Sequence, residues 1–219
     1  MKKQLFVLPV LALLTIASAE AQFGTSTTST DTGSGSSEKA IPRINATGGF
    51  SASKVAVEGT DSNVESKMEG AYSLTADIGS SNFVLETGAN YRSLGRKIND
   101  QANVNLNYIG VPVLAKMYLG NPSGTSLFIR AGVQPSWAVS KNVEATVLGT
   151  QFDADFDAGI KDFDLPAVAG VGVKLGLAPT VGLLLSADYS YSILPIQTSG
   201  ETDIRNEAFA FQGGLAIEL

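Results

Sequence analysis

From Arg43 onward, apolar and polar side chains alternate residue by residue in segments of about ten residues, and no long apolar run interrupts them. In the stretch 183–192, for example, the odd positions carry leucine, alanine and tyrosine, while Ser186, Asp188 and Ser190 share the other face. A period of two predicts a β-strand with one apolar face. Ten residues is also about the length that a tilted strand needs to cross a bilayer.

Eight such segments are predicted: 44–53, 71–78, 83–92, 103–117, 127–137, 165–175, 183–192 and 209–219. The fourth is irregular. Before Ile109 its apolar residues stand at even positions, such as Leu106 and Tyr108, whereas from Val113 onward they stand at odd positions. We predict a β-bulge there, beside Pro112, to absorb the change of phase.

The polar faces distinguish a membrane barrel from a soluble sandwich, which would also alternate. They are made of serine, asparagine, glycine and alanine with few charges, a composition that suits the crowded interior of a small barrel. Aromatic residues near the segment ends are typical of an interfacial belt. These residues are Tyr72, Tyr91, Tyr108, Trp137, Tyr189 and Tyr191.

The connections alternate in length, as they do between the periplasmic turns and external loops of outer-membrane barrels. Residues 79–82, 120–125 and 178–181 are short turns, whereas 54–67, 140–163 and 195–206 are long and 95–101 is intermediate. The predicted fold is therefore all-β, an eight-stranded antiparallel up-and-down transmembrane β-barrel in a bacterial outer membrane. Closure is required because lipid offers no hydrogen-bond partner to a strand edge.

The N-terminus has the pattern of an export signal. Lys2 and Lys3 precede an apolar stretch, and cleavage is possible after Ala19 or, as we favour, after Ala21. An uncleaved anchor is the alternative. The predicted organisation is a signal peptide at 1–21, a disordered linker rich in Ser, Thr and Gly at 22–42, and the barrel at 43–219.

The predicted polar faces bring charged side chains into the lumen. These are Asp77, Glu86, Arg92, Arg130, Lys174, Asp188 and Glu218, and Lys116 joins them if the bulge turns it inward. An eight-stranded barrel is only wide enough for side chains to fill it. The near balance of charge favours an ion-paired plug, and a narrow polar pathway for small solutes is the alternative.

The composition argues against catalysis and cofactors. The chain has no histidine and no cysteine, which excludes the usual nucleophilic triads and zinc sites as well as a lipoprotein anchor and disulfides. A pair of carboxylates at a substrate cleft is the remaining enzymatic possibility. Residues 153–164 carry acids at calcium-loop spacing, although a strand with its acids on one face explains them equally. The net charge of −6 and the lack of a basic stripe exclude a nucleic-acid partner.

The run from Asn107 to Tyr118 resembles a segment of the PorT-like outer-membrane β-barrel family of Bacteroidetes, with Tyr108-Ile109, Pro112, Leu114 and Lys116 at the matching positions. The resemblance, from about Ile44 to Leu219, implies a porin-family barrel or an accessory of the type IX secretion system. Expected partners are outer-membrane lipid, the barrel insertion machinery and an envelope protein of unknown identity. We expect a non-enzymatic structural or interaction role for the external loops, with a passive pore or a secretion accessory as alternatives.

Overall fold

The computed structural model describes residues 42–57, 67–79, 82–99, 102–147, 150–155, 160–199 and 202–219. All of them belong to the compact unit Lys39–Leu219. The predicted signal peptide and all but the last residue of the predicted linker lie outside the described residues. Among the described residues, no helix is long and apolar enough to cross a membrane.

The described chain is built of β-strands. They are β1 (Arg43–Val57), β2 (Lys67–Gly79), β3 (Phe83–Asn99), β4 (Ala102–Gly110), β5 (Val113–Gly120), β6 (Ser126–Val133), β7 (Ser136–Val147), β8 (Thr150–Asp155), β9 (Phe163–Asp164), β10 (Pro166–Ala178), β11 (Val181–Ser192), β12 (Gln197–Ser199) and β13 (Thr202–Glu218). β4 continues into β5, β6 into β7 and β9 into β10, so that eight antiparallel walls form a ring. This confirms the predicted fold class.

The predicted bulge in the fourth wall is wrong. Asn90 pairs with Gly110 and Thr87 pairs with Val113, so the register against β3 is unbroken across Pro112. The short gap in the ladder contains Pro112, which has no N–H to donate. The register shift lies instead at Val139 in β7, because Asn107 pairs with Ser140 while Tyr108 pairs with Ala138.

The ring closes with a stagger that can be followed from partner to partner. The row runs Arg43, Asp77, Glu86, Leu114, Gly132, Val168, Ser190, Ala208 and Ser53. It therefore returns to β1 ten residues above its start. Ten residues of ~3.3 Å set against eight strands spaced ~4.7 Å apart correspond to a strand tilt of about 41°, within the range of closed barrels.

The outward face of the walls is apolar, and this orientation confirms most of the predicted strand faces. Exposed leucine, isoleucine, valine and aromatic side chains form a belt that includes Phe50, Leu85, Ile129, Val171 and Phe211. Tyr72 and Trp137 are also exposed, at the end of the belt away from the termini. The belt is the surface expected of a barrel that faces hydrocarbon.

One inward-facing glycine allows two walls to approach closely. Gly88 in β3 has a φ of +155°, which L side chains rarely adopt. A Cβ added there would lie 2.3 Å from the Leu74 carbonyl oxygen of β2. Only glycine fits this position without a shift of the backbone.

Above the belt the two faces exchange character. Outward positions on β3, β4 and β7 become polar, with Ser93, Asn107 and Ser140 partly exposed. Inward positions become apolar and form what we call the external cap. Its buried members are Leu94, Leu106, Tyr108, Ile196 and Ala208.

This exchange corrects several predictions. Leu106 and Tyr108 do not face lipid, and Tyr108, only 2 % exposed, is not part of the aromatic belt. The described parts of the connections predicted at 95–101, 140–163 and 195–206 are largely strand: β3 extends to Asn99, β7 extends to Val147 and β13 begins at Thr202. Outside the bilayer a strand faces water, so its polar residues point outward and its apolar residues pack within.

Candidate functional site: the charged lumen

The lumen below the external cap contains all seven charged residues predicted to face inward. Asp77, Glu86, Arg92, Lys174, Asp188 and Glu218 are buried, and the side chain of Arg130 is 11 % exposed. Lys116 also lies inside, because the even positions of β4 and β5 point inward without a change of phase. Strand alternation alone therefore brings these side chains together.

Two further lumen charges, Arg43 and Asp164, are not among the residues predicted from the sequence. Arg43 is the first residue of β1. Its odd number places it on the same inward face as Asn45, so alternation along this segment could have identified Arg43 as a lumen residue. In the sequence, Asp164 is the last acid of the stretch with calcium-loop spacing, at the end of a long predicted connection. Asp164 has an even number, like the buried Pro166 and Val168. Alternation along this wall could therefore have identified Asp164 as facing inward.

At the end of the barrel that carries the described termini, one carboxylate joins two cations. Glu218 Oε1 accepts a hydrogen bond from Arg43 Nε at 3.1 Å and from Lys174 Nζ at 2.5 Å. Lys174 Nζ also donates to the Pro122 carbonyl oxygen at 2.5 Å. These contacts connect β1, β10 and β13 to the turn between β5 and β6.

Lys116 of β5 compensates two carboxylates from neighbouring walls. Its Nζ lies 3.1 Å from Asp77 Oδ2 and 2.9 Å from Glu86 Oε2. Asp77 also accepts hydrogen bonds from Tyr118 Oη at 2.6 Å and from Asn45 Nδ2 at 2.9 Å. The ammonium group packs over the Phe128 ring at 4.6 Å from its centroid, a cation–π contact that further stabilises the buried charge.

Arg130 of β6 continues the network across the bore. Its Nη1 donates to Glu86 Oε1 at 2.7 Å. Its Nε and Nη2 donate to the two oxygens of Asp188 at 2.8 and 2.6 Å, a bidentate pair with β11. Lys116, Glu86, Arg130 and Asp188 thus form a continuous chain of ion pairs between opposite walls, which we call the central chain.

Arg92 and Asp164 lie closer to the external cap and have neutral partners. Arg92 donates to Asn90, Ser190 and Gln134, residues of three different walls. Asp164 accepts hydrogen bonds from Ser192 at 2.9 Å and Asn206 at 3.0 Å. The upper lumen is therefore held by hydrogen bonds rather than by direct ion pairs.

Two small cavities adjoin these groups. One lies beside Arg92 and Asp164, the other beside Arg130 and Asp188, and their volumes are about 10 and 20 Å³. Space of that size holds about one water molecule. Beside these charged groups the lumen is therefore closely packed by side chains.

Of the acidic stretch 153–164, residues 156–159 lie outside the described residues. Thr150–Asp155 form β8, which pairs with β7. The last acid, Asp164, lies inside the lumen with Ser192 and Asn206. Within the described residues, no group of three or more acidic side chains is arranged to hold a metal ion.

A closed antiparallel ring of eight walls, an apolar outer belt and a charged interior together define an outer-membrane β-barrel. The chain belongs to the family described as outer membrane protein β-barrel domain, whose profile matches residues 37–197. The protein is accordingly located in the outer membrane, as the sequence predicted. A comparison with curated proteins finds no match.

The chain is similar to several solved outer-membrane proteins. Neisserial surface protein A is 11 % identical, with 81 % of this chain and 97 % of that chain covered at a TM-score of 0.48. OprG from Pseudomonas aeruginosa is 14 % identical, with 83 % and 97 % covered at 0.45. The outer membrane protease OmpT from Escherichia coli is 10 % identical, with 87 % and 100 % covered at 0.45.

Proposed function

We propose that the protein is a non-enzymatic outer-membrane barrel with a plugged lumen, which serves a structural or interaction role through its external connections. The observation that carries the proposal is the central chain, in which Lys116, Glu86, Arg130 and Asp188 join opposite walls across the bore. Buried ion pairs are costly to separate, because removing one partner leaves an uncompensated charge. A solute crossing the lumen would have to break several of them together.

The absence of catalysis is part of the proposal. No histidine or cysteine is available as a base or nucleophile. Asp77 and Glu86 share Lys116 as an ion-pair partner and are almost fully buried. Neither is accessible to a substrate, so these carboxylates serve packing rather than acid–base chemistry.

Conductance in planar bilayers tests the plug. We expect the refolded protein to show no steady single-channel steps. A matched variant, Arg130→Ala, removes the middle of the central chain and should increase brief openings, whereas Lys54→Ala changes an exposed pair outside the lumen and should not. Steady steps from the unmodified protein would favour the narrow-pore alternative instead.

Export and anchoring belong to the same proposal. A signal peptide at 1–21 would direct the chain to the envelope, the insertion machinery would fold the barrel into lipid, and 22–42 would remain a flexible linker. Sequencing of the mature N-terminus tests the first step, with Gln22 as the expected first residue. A chain that begins at Met1 in the outer membrane would contradict it.

A PorT-like affiliation with a secretion-accessory role is a second candidate, favoured by the run from Asn107 to Tyr118. In this run Tyr108, Pro112, Leu114, Lys116 and Tyr118 are all buried. The resemblance therefore concerns residues that pack the interior, and supports a shared barrel more than a shared partner. Specific recovery of secretion components with the native protein would support the accessory role, and recovery of the insertion machinery alone would count against it.

A further inference from the structure

The smaller of the two lumen cavities, about 10 Å³ in volume, lies where the external cap meets the upper lumen. Leu94 and Tyr108 of the cap border it, together with Arg92, Asp164 and Asn206. Tyr108 and Asp164 are each only 2 % exposed. Polar groups of these two residues are therefore shielded from bulk water and depend on partners inside the barrel.

Two polar atoms at this cavity have no hydrogen-bond partner among the described residues. They are the Tyr108 hydroxyl oxygen and Asp164 Oδ1. The hydrogen bonds from Ser192 and Asn206 both go to the other carboxylate oxygen, Asp164 Oδ2. Protein interiors satisfy nearly all such atoms with protein groups or with ordered water, because a buried polar atom without a partner costs free energy. Since the hydroxyl is a donor and the carboxylate an acceptor, one molecule that can both accept and donate would satisfy the two together.

We propose that this cavity is a binding site for one water molecule, which accepts a hydrogen bond from the Tyr108 hydroxyl and donates one to Asp164 Oδ1. The volume is about that of one water, and a buried water needs two to four polar partners. Arg92 borders the same cavity and directs only three of its five N–H groups to other side chains, so it can supply a further donor.

The charge around the cavity favours water over an ion. Arg92 and Asp164 are the two charged residues among those that border it. A bound cation would leave two buried positive charges beside one carboxylate, and a bound anion would lie against Asp164 Oδ1. Burial of uncompensated charge is costly, whereas a water molecule adds no charge.

The second cavity provides an internal comparison. It is larger, about 20 Å³, and Glu86, Arg130 and Asp188 border it. Among the described residues that border it, the one buried side-chain atom without a hydrogen bond is Glu86 Oε2, which lies 2.9 Å from Lys116 Nζ. The groups there compensate one another directly, so we assign the water to the smaller cavity.

The bound water links two parts of the external end. Tyr108 belongs to β4 and to the external cap, whereas Asp164 belongs to β9, which follows the long connection predicted at 140–163. The water therefore holds the cap to the start of the wall that continues into β10. The central chain lies farther from the cap, so the water site and the plug are tested separately.

Replacement of tyrosine by phenylalanine tests the proposal in the full chain, folded into lipid vesicles and unfolded with urea. If a water satisfies the hydroxyl, Tyr108→Phe removes a hydrogen bond and should lower the folding equilibrium constant about fivefold. If the hydroxyl has no partner, its removal leaves the constant unchanged or raises it. Tyr72→Phe is the matched control, because Tyr72 is exposed on the outer face and should change the constant by about twofold at most.

A direct observation covers the case in which Tyr108→Phe does not fold. A crystal structure of the unmodified protein that shows ordered water should contain one water within hydrogen-bond distance of both the Tyr108 hydroxyl and Asp164 Oδ1. A direct hydrogen bond between these two groups, a cavity without water density, or an unchanged constant in Tyr108→Phe would overturn the proposal. Stability that falls when choline replaces sodium, in the unmodified protein but not in Asp164→Asn, would assign the site to a cation and overturn it as well.

Discussion

Substitution of Lys116 by methionine tests whether the central chain stabilises the barrel as its geometry implies. The change keeps an unbranched side chain, one atom shorter, and removes the charge that lies between Asp77 and Glu86. Glu86 Oε1 still has Arg130 Nη1 at 2.7 Å. Asp77 is therefore the carboxylate that the substitution leaves without an ion-pair partner. Asp77 keeps the hydrogen bonds from Tyr118 and Asn45.

The expected cost follows from this count of partners. Breaking a buried ion pair by removing one member costs about 3–5 kcal/mol, because the other charge stays buried without compensation. The two hydrogen bonds that remain on Asp77 favour the lower end, about 3 kcal/mol. Asp77→Asn in the same chain should restore most of this stability, since it removes the stranded charge.

Reversible urea unfolding in lipid vesicles provides the measurement, with Trp137 as the single tryptophan reporter. Lys54→Met is the matched control, because its Nζ lies 3.2 Å from Glu207 but the side chain is 52 % exposed. An exposed pair contributes only ~0–1 kcal/mol. A loss below about 1 kcal/mol for Lys116→Met, with no coupling to Asp77→Asn, would refute the reasoning.

Three further predictions address the outer surface and the wall geometry. Trp137 emission should be quenched more by lipids brominated near the headgroup than by lipids brominated near the chain ends, because Trp137 lies at the end of the belt away from the termini; equal quenching would contradict this placement. Val171→Arg, in the belt, should destabilise the folded barrel by about 2–4 kcal/mol. Asn107→Arg, above the belt, should change stability by less than ~0.5 kcal/mol in the same urea assay, and equal losses would contradict the position of the belt. Gly88→Ala should cost about 1–3 kcal/mol because its φ of +155° and the Leu74 carbonyl oxygen leave no room for a Cβ, and an unchanged urea midpoint would show that the wall adapts.

The interior charges show how much of the charged lumen strand alternation predicts. Parity along each segment placed Asp77 and Glu86 on one face, and Lys116 on that same face only if a bulge intervened. The structure places Lys116 inside without a bulge in that wall. Which charges meet was not predictable, because partners such as Glu86 and Arg130 are 44 residues apart and are brought together by the stagger between walls.

The external end shows where alternation alone misleads. Leu106 and Tyr108 are apolar residues at alternating positions, and so have the pattern of lipid-facing residues. Their true direction depends on how far β4 rises above the bilayer, where water surrounds the outer face. The height of a residue along the barrel axis depends on the strand tilt and on the register between strands. Neither can be obtained from the sequence of one strand alone.

The sequence by itself determined the class of structure. Eight amphipathic segments in a hydrocarbon solvent must pair into a closed ring, because every unpaired backbone N–H and C=O group would otherwise remain unsatisfied. Tertiary structure decided the rest: the stagger of ten residues, the partners within the central chain and the inward turn of Tyr108. These features arise between strands far apart in the chain, since alternation fixes only the face on which a side chain lies and the shear of the ring fixes what it meets there.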